Sequence, residues 1–330
     1  MRKPTIIDLA NAAGVSPTTI SHAFSGRRRV DPETRDRIVA LAEEMGYRPN
    51  QAAQRLRSGK TGAIGLASSM PFAVSAGTSR LGFLMEIAAS AAMTALSRDM
   101  TLCLIPSVPG HNLDNLGFDG VIVVEPARDD ALIPYLEARH TPIVSIGKVP
   151  GRPDIPAIDL HSRYTAQLLL DHLRANGSRR IGLVSCDQRR TSYEQTEEAY
   201  ATFCATHAIE PVILSLDENG GEALAERAAA KLLAENASLD GLLVSVDALA
   251  TGTMTALAGR GLDVPADIRL VTRYDGIRAQ LSRPQLTAVD LHLDDVARAA
   301  VEAILALIDG NQFAPSVPKP DLIVRGSSHK

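Results

Sequence analysis

Apolar residues in the first fifty positions recur at the spacing of short amphipathic helices. The first such set consists of Ile6, Leu9, Ala10 and Ala13. Thr5 and Asp8 form a capping-box pattern in front of it, and Gly14 can take the left-handed conformation that ends a helix. The pattern therefore predicts a helix from about Ile6 to Ala13.

A second helix is predicted immediately after this turn. Ser16 is suited to cap it and Pro17 to occupy its first position, and the helix runs to about Ser25. Its packing face consists of Ile20, Ala23 and Phe24, together with Val15 before the helix. The opposite face holds Pro17, Thr18, Ser21, His22 and Ser25. We expect this polar face to stay exposed.

A third helix begins at Pro32, behind the capping residue Asp31, and ends at Gly46. It completes a small core with Ile38, Leu41, Ala42 and Met45. Three short helices with one exposed polar face are typical of a helix-turn-helix module. The alternative is a small helical bundle without a nucleic-acid role.

Beyond Gly62 short β-rich apolar runs alternate with amphipathic helices, which is typical of parallel βαβ architecture. Strands are predicted at 63–69, 101–107, 120–126 and 142–148, and again at 180–186, 212–217, 241–247 and 269–275. Helices are predicted near 83–98, 129–139, 162–175, 193–207, 222–235 and 248–259. Two similar sets of strands predict an α/β body with two doubly wound lobes.

Charge is distributed unevenly along the chain, and this changes what the helical segment can bind. The net charge of −4 divides into +5 for residues 1–60 and −9 for the remainder. A basic segment on an acidic body is typical of a protein whose nucleic-acid contacts are confined to that segment.

The three cysteines have no metal-ligand spacing, so we expect reduced thiols, no metal and no cofactor. No apolar run long enough to span a bilayer and no signal peptide is present, and we expect a cytoplasmic protein without a membrane partner.

The stretches TIIDLANAAGVSPTTISHAFSG, VDPETRDRIVALAEEMGYRPN and AAQRLRSGKTGAIGL resemble the headpiece and hinge of the lactose-repressor (LacI/GalR) family of bacterial transcription regulators. The resemblance implies a DNA-binding headpiece at 1–48 and a hinge at 49–61. It also implies DNA contacts from Thr5, Ser16, Pro17, Thr18, Ser21, His22, Arg29, Asn50, Ala53 and Leu56. Pro17, Thr18 and His22 stand where the family reads base edges, and His22 replaces a frequent arginine.

The hinge residues 50–57 are too few to hold a helix alone in water. The resemblance implies that two copies fold together over the minor groove, where Leu56 enters the central base step. The alternative is a plain linker with an incidental leucine.

The rest of the chain, residues 62–330, resembles the family's two-lobed periplasmic-binding-protein type I body, in which the chain crosses between the lobes near Asp159, Leu291 and Asp321. The implied first lobe comprises about 62–160 and 292–320, and the second comprises about 161–291 and 321–330.

Ligands of parallel sheets bind at the carboxyl ends of strands, so the residues that follow the predicted strands are candidate effector contacts. These candidates are Phe72, Arg80, Arg190, Ser192, Tyr193, Asp247 and Asp275. Each charged candidate has an alternative role: the aspartates as caps or loop braces, the arginines as surface charges. His161 and His292 lie beside the predicted crossovers and are interpreted as structural.

Two departures from the family bear on the effector. Thr196 stands where sugar-binding members carry a clamping arginine, and Val246 stands where they often carry asparagine. Arg190 with Ser192 is closer to the purine-repressor branch. A sugar, a sugar derivative, a purine and a small acid all remain open, as does the choice between inducer and corepressor.

The resemblance implies a repressor controlled by a small molecule bound between two lobes. The chain ends without a leucine heptad, so a homodimer on a pseudo-palindromic double-stranded operator is expected. A solute-binding transport protein shares the body fold but not the basic headpiece. No phosphate-binding or nucleophile motif nominates an enzyme.

Overall fold

The computed structural model describes residues 4–25, 30–47, 60–71, 74, 82–108, 111–114 and 116–329. The chain divides into two compact units, Met1–Thr61 and Gly62–Lys330. In the described part of the chain, no helix is both long and apolar enough to cross a membrane.

The first unit contains three helices whose ends follow from local chemistry. They are α1 (Ile6–Ala13), α2 (Pro17–Ser25) and α3 (Pro32–Met45). The predicted capping box is present, because the Thr5 hydroxyl accepts from the Asp8 amide at 3.3 Å while the Thr5 amide donates to the Asp8 carboxylate at 2.7 Å. Gly14 and Gly46 both adopt φ +65°, and each ends a helix. The predicted helix bounds are therefore confirmed.

The core of this unit joins all three helices. Its buried members are Leu9, Ala10, Ala13, Ile20, Ala23, Ile38 and Ala42. Phe24 and Tyr47 pack at the edge of this cluster with ring centroids 6.1 Å apart. The apolar face predicted for each helix is the face that packs.

The first lobe of the body is a five-stranded parallel sheet in the order β2, β1, β3, β4, β5. Its strands are β1 (Ala63–Ser68), β2 (Thr101–Leu104), β3 (Gly120–Val124), β4 (Ile143–Ile146) and β5 (Ala157–Ile158). Its helices are α4 (Phe83–Leu96), α5 (His111–Asp114) and α6 (Leu132–Glu137). Every residue of β3 and β4 is buried, as expected of parallel strands covered on both faces.

The second lobe is a four-stranded parallel sheet in the order β7, β6, β8, β9. Its strands are β6 (Ile181–Cys186), β7 (Ile213–Leu216), β8 (Gly241–Val244) and β9 (Arg269–Thr272). Its helices are α7 (Ser162–Ala175), α8 (Thr191–His207), α9 (Gly221–Glu235), α10 (Asp247–Gly259) and α11 (Ile277–Leu281), with a 3-10 turn at Glu218–Gly220. The predicted two-lobed α/β fold is confirmed.

The end of the chain forms elements that the sequence pattern did not predict. They are β10 (Ala288–Asp290), α12 (Leu293–Ile308) and β11 (Asp321–Ile323). β10 and β11 pair antiparallel as a separate two-stranded sheet, whereas α12 packs against α4 and the first-lobe sheet. Eight of the sixteen α12 residues are buried, so the helix is part of the first lobe's core.

An Asp-Leu-His sequence occurs twice, before α7 and before α12. In both copies the aspartate, Asp159 or Asp290, accepts a hydrogen bond at 2.8 Å from the amide of the histidine two residues later. His161 and His292 adopt left-handed φ values of +51° and +50° and begin the following helices. The leucine between them is buried in both copies. Both histidines therefore have the structural role expected of them.

Seven of the eight predicted strands extend one to three residues too far at their carboxyl ends, and the strand predicted at 180–186 ends where β6 ends, at Cys186. β8 ends at Val244 and β9 at Thr272, so neither Asp247 nor Asp275 is a strand residue. Asp247 is the first residue of α10, and Asp275 lies in the loop after β9. The loops that follow the strands are also buried and therefore also contain apolar residues, so the sequence pattern does not show where the strand hydrogen bonds end.

Candidate DNA-reading helix and inter-lobe cleft

The start of α2 is held by a serine cap and leaves its next residues exposed. The Ser16 hydroxyl accepts from the Thr19 amide at 3.0 Å and contacts the Thr19 hydroxyl at 2.9 Å. Pro17 and Thr18 are exposed, and His22, one turn further on, is partly exposed. These three side chains lie on the accessible side of a capped helix.

Ser21 is the exception on the predicted exposed face. It is only 6% exposed and lies in the interior of the first unit. Ser21 is three residues before Phe24, which packs against the core cluster, so the two side chains share one side of the helix. The prediction that Ser21 lies on the free face was wrong.

Several predicted contacts fall outside the described residues. Among the DNA contacts these are Arg29, Asn50, Ala53 and Leu56, and among the effector contacts Phe72 and Arg80. Thr5 is described, and both hydrogen-bonding functions of its hydroxyl are used within the cap of α1.

Arg190 is the most buried charged side chain of the cleft between the lobes. It is 1% exposed and forms a two-pronged ion pair with Glu218 of its own lobe, at 2.8 and 2.9 Å. Its Nη1 donates across the cleft to the Ser69 hydroxyl at 3.0 Å and to the backbone carbonyl of Glu125. Arg190 is therefore a bridge between the lobes, and the surface-charge alternative is excluded.

Glu125 is the first-lobe residue on which these contacts converge. It is 2% exposed and follows β3 directly with a left-handed φ of +48°. Its carboxylate accepts from the Ser192 hydroxyl and, at 3.1 Å, from Nη2 of Arg273. A buried network of two arginines, two glutamates and a serine thus joins the carboxyl ends of the two sheets.

The two aspartate candidates are each bound by an arginine of the second lobe. Asp247 accepts from the Ala248 amide at 2.8 Å and from Arg278 at 3.1 Å. Burial raises the pKa of Asp247, while Arg278 acts in the opposite direction. Asp275 forms a two-pronged pair with Arg325, one arm of which measures 2.7 Å. Both contacts support the alternative that these aspartates brace loops.

Of two tyrosines that follow second-lobe strands, Tyr193 is packed inside that lobe and Tyr274 reaches the first lobe. Tyr193 is buried in the second lobe, and this burial raises the pKa of its hydroxyl. Tyr274 donates to the carboxylate of Glu86 on α4 and meets Phe83 edge to face at 5.6 Å. This aromatic pair is a second contact between the lobes.

Sequence reasoning missed Glu125, Glu218 and Arg273. Each follows a strand by one or two residues, at the carboxyl end of β3, β7 and β9 respectively. Glu125 and Arg273 lay inside strands that were predicted too long, whereas Glu218 directly follows the strand predicted at 212–217 and could have been found by the rule that ligand-site residues follow strand ends. Thr196, which replaces a clamping arginine, bonds instead to the Ser192 carbonyl at 2.8 Å.

A capped helix-turn-helix unit followed by a two-lobed body with a polar cleft defines a DNA-binding regulator with a ligand-binding body. Residues 5–50 match the model of bacterial regulatory proteins of the lacI family, and residues 170–328 match a periplasmic binding protein-like domain. The HTH-type transcriptional regulator IpsA of Corynebacterium glutamicum is 30% identical over 95% of this chain and 94% of its own length. The chain belongs to the lacI family of transcriptional regulators.

Further relatives and solved structures agree with this assignment. The HTH-type transcriptional regulator AglR of Rhizobium meliloti is 29% identical over 97% of this chain and 93% of its own. The lac repressor dimer bound to operator and the anti-inducer ONPF superimposes with a TM-score of 0.80 at 24% identity, over 100% of both chains. The cellobiose complex of the regulator CelR gives 0.71 at 22% identity, over 98% of this chain and 99% of that one. At these identities the two structures show a shared fold.

Proposed function

We propose that this regulator is a homodimeric repressor that binds a pseudo-palindromic operator and is controlled by a small molecule held between its lobes. The observation that carries the proposal is the exposed surface of Pro17, Thr18 and His22 on the capped helix α2. Polar side chains at the start of such a helix can reach base edges in the major groove. The positive charge of residues 1–60 supplies the attraction to phosphates.

We assign residues 1–48 to the headpiece, 49–61 to the hinge and 62–330 to the body, with the lobes divided near Asp159, Leu291 and Asp321. The hinge contact by Leu56 stays a prediction. The protein acts by binding rather than by catalysis, and it works in the cytoplasm on the nucleoid because its operator lies there. The relatives crystallised with operator, ONPF and cellobiose support DNA and a small polar molecule as partners.

Operator binding is tested by selecting fragments of the source genome with the purified full chain and measuring affinity by fluorescence anisotropy. The selected fragments should contain an inverted repeat and bind at least about 1,000-fold more tightly than random duplex at the same salt concentration. Sedimentation should show two chains per operator. Equal affinity for all fragments would contradict the proposal.

Effector control is tested by thermal unfolding of the full chain with sugars, sugar acids, purines and small carboxylates. A ligand at a hundred times its Kd stabilises the protein by about 2.7 kcal/mol. The ligand found should then change operator affinity by about 5- to 150-fold, because coupling between two sites is commonly about 1–3 kcal/mol. A ligand that stabilises the body without changing operator affinity would contradict effector control.

A further inference from the structure

Arg273 is a buried cation whose carboxylate partner comes from the other lobe. It is 7% exposed, follows β9 directly, and pairs with Glu125 of the first lobe. Among the described residues, no carboxylate of its own lobe pairs with it, and its Nε has no hydrogen-bond partner. Separation of the lobes would leave this guanidinium without a counterion.

Arg190 differs from Arg273 in this respect. Its charge is matched within the second lobe by the two-pronged pair with Glu218. The second lobe therefore presents one net positive charge at the cleft from these three side chains. Ser192 adds a hydroxyl donor, and it is the second residue of the seventeen-residue helix α8, whose amino end carries a partial positive charge. Together Arg273 and Ser192 form a receptor for an anion.

The structure shows a carboxylate in this receptor, and it is the chain's own. Ser192 and Arg273 both donate to the carboxylate of Glu125. The first lobe accommodates that side chain with unusual backbone geometry, because Glu125 has φ +48°, a region disfavoured for residues with a Cβ. Gly147 makes room for it, since a Cβ at this position would lie 2.9 Å from the Glu125 Oε1 atom.

We propose that Glu125 is a built-in substitute for an anionic effector, and that the effector carries a carboxylate or phosphate group that displaces Glu125 from Arg273 and Ser192. This inference rests on the proposed function of the cleft as the effector site. A neutral ligand that separated Glu125 from Arg273 would leave two buried charges unpaired, which is strongly unfavourable. An anion keeps Arg273 paired while Glu125 moves to solvent.

The inference makes Glu125 a competitor, so its removal should strengthen anion binding. The variant Glu125→Gln keeps the shape of the side chain and removes its charge. We expect the Kd of the full chain for inorganic phosphate, measured by calorimetry at constant ionic strength, to fall about tenfold or more, because the binding-competent receptor is then always available. Phosphate should also raise the melting temperature of Glu125→Gln more than that of the parent.

Matched probes and variants identify the receptor. D-glucose 6-phosphate and D-gluconate should bind Glu125→Gln more tightly than D-glucose does, and the comparison of the first two separates phosphate from carboxylate preference. Arg273→Gln should abolish this binding while leaving the basic headpiece intact, and Ser192→Ala in the Glu125→Gln background should weaken it several-fold. The control Glu137→Gln removes a half-exposed glutamate of the same lobe and should behave like the parent.

Equal phosphate affinity in the parent, Glu125→Gln and Glu137→Gln would overturn the inference, as would phosphate binding that survives Arg273→Gln. Each variant is also assayed for operator binding. If Glu125→Gln binds phosphate no more tightly than the parent while the parent binds its operator, only this inference is contradicted. A parent protein that binds no operator contradicts the proposed function. If Arg273→Gln fails to fold, the Ser192→Ala comparison decides: unchanged phosphate affinity there would also overturn the inference.

Discussion

The proposed DNA-reading face of α2 (Pro17, Thr18 and His22) and the cleft between the lobes differ in exposure. The side chains of the first are accessible, whereas the charged side chains of the second are buried and paired. Pro17, Thr18 and His22 stand at an accessible surface, which we propose contacts operator DNA. Glu125 and Arg190, in contrast, are almost completely buried and are already bonded across the cleft. Exposed polar side chains are solvated by water until a partner binds, whereas buried charges need a counterion within the protein.

The largest effect is expected from breaking the buried ion pair between Arg190 and Glu218. Glu218→Gln leaves the Arg190 guanidinium buried without its carboxylate, and we expect a loss of about 3–5 kcal/mol in the free energy of unfolding, measured by urea denaturation. The control Glu198→Gln breaks the solvent-exposed pair with Arg163 and should cost about 0–1 kcal/mol. Similar losses in the two variants would show that burial does not distinguish the cleft.

A substitution on the proposed DNA-reading face should change the sequence specificity of DNA binding rather than the stability of the protein. His22→Ala removes a donor and acceptor from the exposed face, and we expect it to reduce the ratio of operator to random-duplex affinity by about 5- to 150-fold, equivalent to about 1–3 kcal/mol. Anisotropy titrations on both duplexes measure the ratio, with Asn11→Ala as an exposed neutral control. An equal drop on both duplexes would remove His22 from base reading.

A smaller effect is expected from the cap of α1, since it supports the reading unit only locally. Thr5→Ala removes the hydroxyl that accepts from the Asp8 amide and should destabilise the first unit by about 0.5–2 kcal/mol. Hydrogen exchange of the α1 amides measures this change. The amides of β3 and β4 in the body should exchange as before, and faster exchange there would show that the two units do not respond independently.

The smallest effect is a pH dependence within the body. Burial lowers the pKa of His172, whose Nε2 contacts the Ser328 hydroxyl at 2.7 Å, and the nearby His329 acts in the same direction. Folding favours the neutral form of His172. Its contribution to the free energy of unfolding is therefore complete above about pH 6.5 and is lost as the pH falls towards the lowered pKa of the folded protein. Urea unfolding from pH 7.5 to 5 should show a decline that is shallower in His172→Gln. Parallel curves would exclude His172 as its source.

The first unit was predictable almost residue by residue because its signals are local. A capping box and Gly14 bound α1, a serine cap followed by proline begins α2, and the Asp31 cap and Gly46 bound α3. The exposure of Ser21 was not predictable in the same way. A helical wheel gives the direction of the Ser21 side chain around the helix axis. How far the packed face extends around the helix depends on how closely the neighbouring helices approach.

In the cleft, the sequence indicated the strand ends but not the partners of the residues that follow them. Arg190 and Ser192 were identified as candidates, yet Glu218, Arg273 and Glu125 lie 28 to 83 positions away from Arg190 in sequence. The aspartates were similarly expected to face a ligand, whereas Asp275 is bound by Arg325 from the end of the chain. Such pairs depend on topology, which local patterns do not encode.

The sequence by itself determined the three-helix unit, the alternation of strands and helices, the division of charge, and through them the class of regulator. These properties follow from hydrogen bonds and periodicities that span a few residues. Only the tertiary structure decided which charges meet in the cleft, which aspartates are braced, and that Glu125 occupies the receptor formed by Arg273 and Ser192. The physical reason is that a buried charge takes whichever counterion the fold brings within hydrogen-bond distance, irrespective of its position along the chain.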